Sequence, residues 1–126
     1  MELNLQQQAE ANIIRSVQSN ETGCRITVGE NTLSESVILT LDQFEMWKVS
    51  DVMDVTHTHF QQLATLPVEL VILGTGPKIH FFPAKVTQPL INKQIGLEVM
   101  DTAAACRTFN ILAGDGRSVA AALILW

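Results

Sequence analysis

The run Val68-Glu-Leu-Val-Ile-Leu73 constrains the fold more than any other stretch of this chain. It is nearly continuously apolar and has none of the alternation of a half-solvated strand. That is the composition of a strand covered on both faces, which belongs in a largely parallel sheet between layers. Leu97-Glu-Val-Met100 and residues 118–125 read the same way. Two helical segments separate these strands. In residues 103–113 Ala105, Phe109 and Leu112 form a stripe, Asp101 and Thr102 stand at the cap position, and Gly114 follows as the expected stop. In residues 84–94 the helix must accommodate Pro89, which lacks an N–H, in its first turn or at a kink. Strand, helix, strand, helix, strand in this order implies crossover connections and a largely parallel sheet with helices packed on it.

The first half reads differently. Residues 12–17 and 24–28 are short and β-branched, and Asn20-Glu-Thr-Gly23 between them has turn chemistry, so they predict an antiparallel hairpin. A second turn begins at Gly29 and leads to a strand over Val37-Ile-Leu-Thr-Leu41. From Thr56 to Leu66 the spacing of Phe60, Leu63 and Ala64 predicts a helix that Pro67 ends. The fold class that follows is α/β, with a central mixed, largely parallel sheet, helices on it and an antiparallel N-terminal hairpin. With no repeat, linker or low-complexity tract, residues 1–126 read as one complete domain, residues 1–9 forming an extended arm ahead of it.

Charge narrows the partners. Lys and Arg number 8 against 13 Asp and Glu, a net of −5, and an acidic surface repels phosphate backbones, so nucleic acid is not an expected partner. The first 67 residues carry three basic and nine acidic side chains, the remainder five and four, so any anion would be drawn to the second half. Cys24 and Cys106 read as free thiols, because a core this rich in Val, Ile and Leu needs no disulfide. The N-terminus lacks the basic and apolar regions of a secretory signal, and no stretch nears ~18 consecutive apolar residues, so a membrane span is not expected. A cytoplasmic location is the simplest expectation.

Several residues invite a chemical reading. Gly74-Thr-Gly76-Pro77 follows a buried strand, where backbone N–H groups can approach a ligand. It lacks the third glycine and the immediate helix of a dinucleotide fingerprint, so no nucleotide cofactor is expected, and a tight turn explains both glycines equally well. Asp101-Thr102 opens a helix whose start attracts anions, with Arg107 a turn further on. Were the two preceding strands parallel, Gly74, Gly76, Lys78, Asp101, Thr102 and Arg107 would share one crevice at the sheet edge, with Asn110 nearby; otherwise Asp101 and Thr102 only cap the helix, and Arg107 and Asn110 show a solvated face. His57 and His59 have no third ligand nearby in sequence and predict no metal site. Cys106, beside Arg107, has the neighbour of a nucleophile but the stripe position of a packed core residue. Ser34 and Ser36 lack the glycines of a nucleophile elbow, and no catalytic residue is assigned.

The stretches 68–76, 95–113 and 115–123 together resemble a widespread family of small, largely uncharacterised bacterial and archaeal proteins. Its mitochondrial relatives include assembly factor 3 of NADH dehydrogenase (complex I) and the adipogenesis-associated protein. The resemblance covers roughly residues 10–125 and is carried by Gly74, Gly76, Glu98, Met100, Thr102, Arg107 and Asn110, with Ala103 and Asp115 departing from the commoner residues. It implies a three-layer α/β fold and a non-catalytic, assembly-type role with a protein partner, and it brings no catalytic residue or cofactor. The competing expectations are an anion or small-molecule binder using the crevice, and an enzyme, for which only Asp101, Cys106 and Arg107 stand in loose proximity.

Overall fold

Alternation along the central strands sends side chains to both faces of one sheet and makes the chain a three-layer structure. The structure is a computed structural model and describes residues 11–126; the expected arm at 1–9 lies outside the described residues. The central sheet contains β4 (Val37–Leu39), β5 (Phe44–Met46), β6 (Leu70–Gly74), β7 (Gly96–Met100) and β8 (Val119–Leu123), in the order β5-β4-β8-β6-β7. β6 pairs in parallel with β7 and β8, while β4 runs antiparallel to β5 and β8. A second, antiparallel sheet is formed by β1 (Ile14–Asn20), β2 (Gly23–Val28) and β3 (Asn31–Leu33). The helices are α1 (His57–Leu63), α2 (Ala84–Asn92) and α3 (Thr102–Gly114), with a short 3-10 turn at Val52–Asp54.

On one face of the central sheet Val37, Leu39, Ile72, Ala121 and Leu123 meet Ala105, Cys106 and Phe109 of α3 and Cys24, Ile26 and Val28 of the small sheet. On the other, Ile38, Val71, Leu73, Ala122 and Ile124 meet Phe60 and Leu63 of α1 and Leu90 of α2. β6 therefore feeds both clusters, as its unbroken apolar sequence requires. The two clusters share the central sheet as a common wall.

Local chemistry sets the boundaries. The β1–β2 turn is held by Asn20 Oδ1, which accepts from the N–H groups of Thr22 and Gly23 and from the Thr22 hydroxyl. α3 begins at Asp101, whose carboxylate accepts from the Ala104 N–H at 2.9 Å. Gly114 is its last residue rather than the stop that follows it. The left-handed residue is Gly116 (φ +84°), and the Gly116 and Arg117 N–H groups donate back to the Ala113 and Leu112 carbonyls, a Schellman ending. α2 carries Pro89 in its interior rather than its first turn, and its buried Leu90 joins the core cluster on that face of the sheet. β3 and β5, three residues each, carry no sequence signal of their own. They exist because longer strands beside them offer backbone partners.

The small sheet is pinned to the rest at three places. Asn110 on α3 both accepts from the Ile14 N–H (3.0 Å) and donates to the Ile14 C=O (2.8 Å), so one amide replaces a strand partner for β1. Cys24 N–H donates to the Trp126 carbonyl, and the Trp126 indole donates to the Asn20 carbonyl. Asn12 N–H donates to the Leu41 carbonyl.

Burial also makes the core sensitive to alkali. Cys106, 1% exposed, has its thiol pushed up from 9.0 to about 12, chiefly by desolvation and further by Cys24 and Asp101, against a downward pull from Arg107. An unfolded chain loses this proton at a lower pH than the folded one, so between about 9 and about 12 the unfolded state binds fewer protons and stability falls as pH rises. Urea denaturation at pH 7.5 and at pH 10 is expected to show one transition, unaffected by reductant, with a lower midpoint at pH 10. Cys106→Ala is expected to flatten that alkaline loss; an equal loss in wild type and variant would place its origin elsewhere.

Candidate functional site

β6 ends at a loop whose backbone is almost wholly committed to neighbouring elements. Gly74 is buried, and a side chain there would meet the Thr102 Cα at 2.9 Å and the Ala105 Cβ at 3.1 Å, so only glycine lets α3 lie this close to β6. Gly76 adopts φ +103°, a conformation other residues strongly resist. Its N–H donates to the Thr102 hydroxyl at 2.8 Å, and its carbonyl accepts from the Thr102 N–H at 2.9 Å. The same hydroxyl donates to the Ile124 carbonyl at 2.8 Å, and Ile124 N–H reaches the Gly74 carbonyl. Thr75 adds a second knot: its N–H donates to Met100, its hydroxyl donates to the Lys78 carbonyl, and the hydroxyl accepts from the His80 N–H.

Beyond this knot the loop opens onto a crevice of about 470 Å³ at the carboxyl end of β6 and β8, lined among others by Ser50, Asp51, Gly76, Lys78, Ile124 and Trp126. Three apolar side chains at or next to its lining segments stand out in solvent: Met53 at 73% exposure, Ile79 at 49% and Phe81 at 70%. Phe82, next in sequence, turns inward and packs edge-on to Phe60 and His80, with ring centroids 5.4 and 5.0 Å apart. The loop is thus anchored through Phe82 and Thr75 while presenting Ile79 and Phe81.

The residues singled out from the sequence divide between these two settings. Gly74, Gly76 and Thr102 come together in the knot, while Gly76 and Lys78 line the crevice. Asp101 caps α3, Arg107 is exposed a turn and a half along it, and Asn110 faces β1; none of the three lines the crevice. Thr102 is fully buried with its hydroxyl bonded on both sides. Cys106 is packed beneath the helix rather than open to a substrate. His59 Nδ1 accepts from the Thr56 N–H, closing the N-terminal turn of α1. Among the described residues no group of three or more His, Cys, Asp or Glu is placed to hold a metal ion.

Sequence reasoning missed the crevice's far wall at Ser50–Val52 and the exposed pair Ile79 and Phe81. A signal existed in Pro77-Lys-Ile-His-Phe-Phe-Pro83, where a proline-bounded loop carries three large apolar residues, more than a solvated connection needs.

A sheet with parallel strands at its centre, helices on both faces and a crevice beyond the strands' carboxyl ends defines a three-layer α/β fold. Over residues 19–124 the chain belongs to the family described as protein of unknown function (DUF498/DUF598). It is 34% identical over 100 residues to NADH dehydrogenase [ubiquinone] 1 alpha subcomplex assembly factor 3 of Mus musculus, a match covering 78% of this chain and 54% of that protein. The chain thus spans about half the length of the curated relatives it matches. Among solved structures it is similar to a Bordetella parapertussis protein (TM-score 0.82, 31% identity, 90% of this chain and 95% of that one). A Xanthomonas campestris protein matches with TM-score 0.72 and 34% identity over 86% and 83% of the two chains.

The geometry separates two neighbours on α3. Asn110→Ala is expected to lower stability by about 1–3 kcal/mol, because it leaves the Ile14 N–H and C=O without partners. Arg107→Ala is expected to change it by roughly 0–1 kcal/mol, since the guanidinium is exposed and makes no ion pair among the described residues. Parallel thermal melts read both; a larger loss at Arg107 than at Asn110 would reverse the assignment.

Proposed function

We propose that this chain is a non-catalytic, assembly-type protein that works by holding a protein partner, with the crevice beside the Gly74–Gly76 loop as part of its contact surface and the cytoplasm as its location. The observation that carries the reading is the exposed trio Met53, Ile79 and Phe81, on or beside the segments lining the crevice. Large apolar groups held out in solvent on an anchored loop are the chemistry of protein contact, where aromatic anchors supply much of the binding energy. The curated relatives' description as assembly factors supports the same reading. So does the chemistry of the knot: the Gly76 N–H and Thr102 hydroxyl, which would cradle an anion, are already bonded to each other. Among the described residues no helix is long and apolar enough to cross a membrane.

Affinity capture tests the proposal. The tagged wild-type chain is expected to retain a specific protein through washing. Phe81→Ser is expected to weaken that retention about tenfold, the effect of losing roughly 1.4 kcal/mol at one anchor, while its melting temperature stays within a few degrees. Retention by the variant at the wild-type level would remove this loop from the contact surface, and no retained protein at all would count against the assembly-type reading.

A further inference from the structure

The central sheet ends at β7 with one edge open among the described residues. Gly96 N–H donates to the Glu69 carbonyl and the Met100 carbonyl accepts from Thr75 N–H, both at 2.9 Å, so the even-numbered residues of β7 turn their backbone groups toward β6. In an extended strand the intervening residues turn theirs the other way. Leu97 and Val99 therefore hold two N–H donors and two C=O acceptors outward, and these have no partner among the described residues.

The remaining edges are protected by devices that β7 lacks. β1 is broken by a register shift between Ile14 and Ser16, and Asn110 occupies both backbone groups of Ile14. β3 and β5 are only three residues long. β7 is in register with β6 over all five residues and contains neither proline nor lysine. Its side chains describe what it can meet. Leu97 and Val99 are half-buried against the α1–α2 face, while Glu98 is exposed on the other.

Glu98 also discriminates between occupants. The antiparallel register in which two copies of β7 would satisfy all four open groups on each places Glu98 directly opposite its twin, in the closer, non-hydrogen-bonded kind of pair, where like charges are destabilising. A partner strand carrying a cation at that position instead gains an opposite-charge pair. We infer that the β7 edge receives an extended segment of a partner protein, paired with the outward backbone groups of Leu97 and Val99, with a Lys or Arg opposite Glu98 and apolar residues flanking it. This rests on the reading of the chain as a partner-binding protein. The edge is continuous with the crevice loop, since Met100 at its end accepts from Thr75.

The probes are two capped pentapeptides, Thr-Val-Lys-Val-Thr and Thr-Val-Glu-Val-Thr, titrated into the nitrogen-15-labelled chain. The lysine peptide is expected to shift the Leu97 and Val99 amide signals, slow their hydrogen exchange and bind at least about fivefold tighter than the glutamate peptide. Glu98→Lys is expected to invert that preference. Val99→Pro removes an outward N–H while leaving every bond to β6 in place, and is expected to lose the binding; Glu98→Lys carries the test if that variant fails to fold. Indifference to peptide charge, shifts confined to another surface, no binding, or Leu97 and Val99 amides already protected in the free monomer would each overturn the inference. Concentration-dependent dimers with those amides protected would overturn it in favour of a second copy. Affinity capture separates the two levels: a wild-type chain that holds no partner fails the partner-binding reading, whereas Val99→Pro holding the same partner as wild type fails the edge alone.

Discussion

The Thr102 hydroxyl lies fully buried where three segments meet, accepting from Gly76 and donating to Ile124. A buried hydroxyl left unbonded costs about 1–3 kcal/mol, and so does each backbone group it would abandon, so the three positions are coupled: none can shift alone without orphaning another. Through that coupling the end of β6, the end of β8 and the start of α3 behave as one rigid corner. Gly74 is the steric condition for it, because a Cβ there would push α3 off the sheet before the threonine could reach. The crevice, the exposed loop and the open edge of β7 all adjoin this corner and inherit their positions from it.

Such a corner explains why features that suggest a ligand cradle also serve as architecture. A glycine-rich turn after a buried strand and a capped helix start carry the same residue types whether their N–H groups face a phosphate or a threonine. The distinction is geometric, and only the bonding partners decide it. Asn110 makes the same point in a milder form: spaced three residues from Arg107, it looks like part of a solvated face, yet its amide completes the backbone pairing of β1.

What the sequence reveals follows from range. The β6, β7 and β8 strands, α3 with its Asp101 cap, the β1–β2 hairpin and the burial of Cys106 rest on periodicity, capping and turn chemistry, which act within a few residues. The three-layer arrangement follows from the apolar run at β6, because a strand with two buried faces must be covered twice. β3 and β5 were not legible because their order comes from neighbours. α3 runs one residue past the expected 113, and its left-handed stop is Gly116 rather than Gly114, because the two glycines offer the same composition and only the sign of φ separates them. The crevice was half legible: Gly76 and Lys78 belong to the signalled segment, but Ser50–Val52 arrives from across the sheet with no motif of its own.

The central strand β8 carries three consecutive alanines, with Ala121 facing α3 and Ala122 facing the opposite layer, both fully buried. Enlarging either would force apart elements already at contact distance, at about 1–3 kcal/mol for each overpacked site. Evolutionary drift in such a molecule is therefore channelled by volume: the axis of the sheet is closed to growth from both sides, while the loop carrying Ile79 and Phe81 is bounded by solvent on one side and can exchange size and polarity freely. A lineage using this scaffold can acquire new affinities at its rim over many substitutions without its layers moving relative to one another.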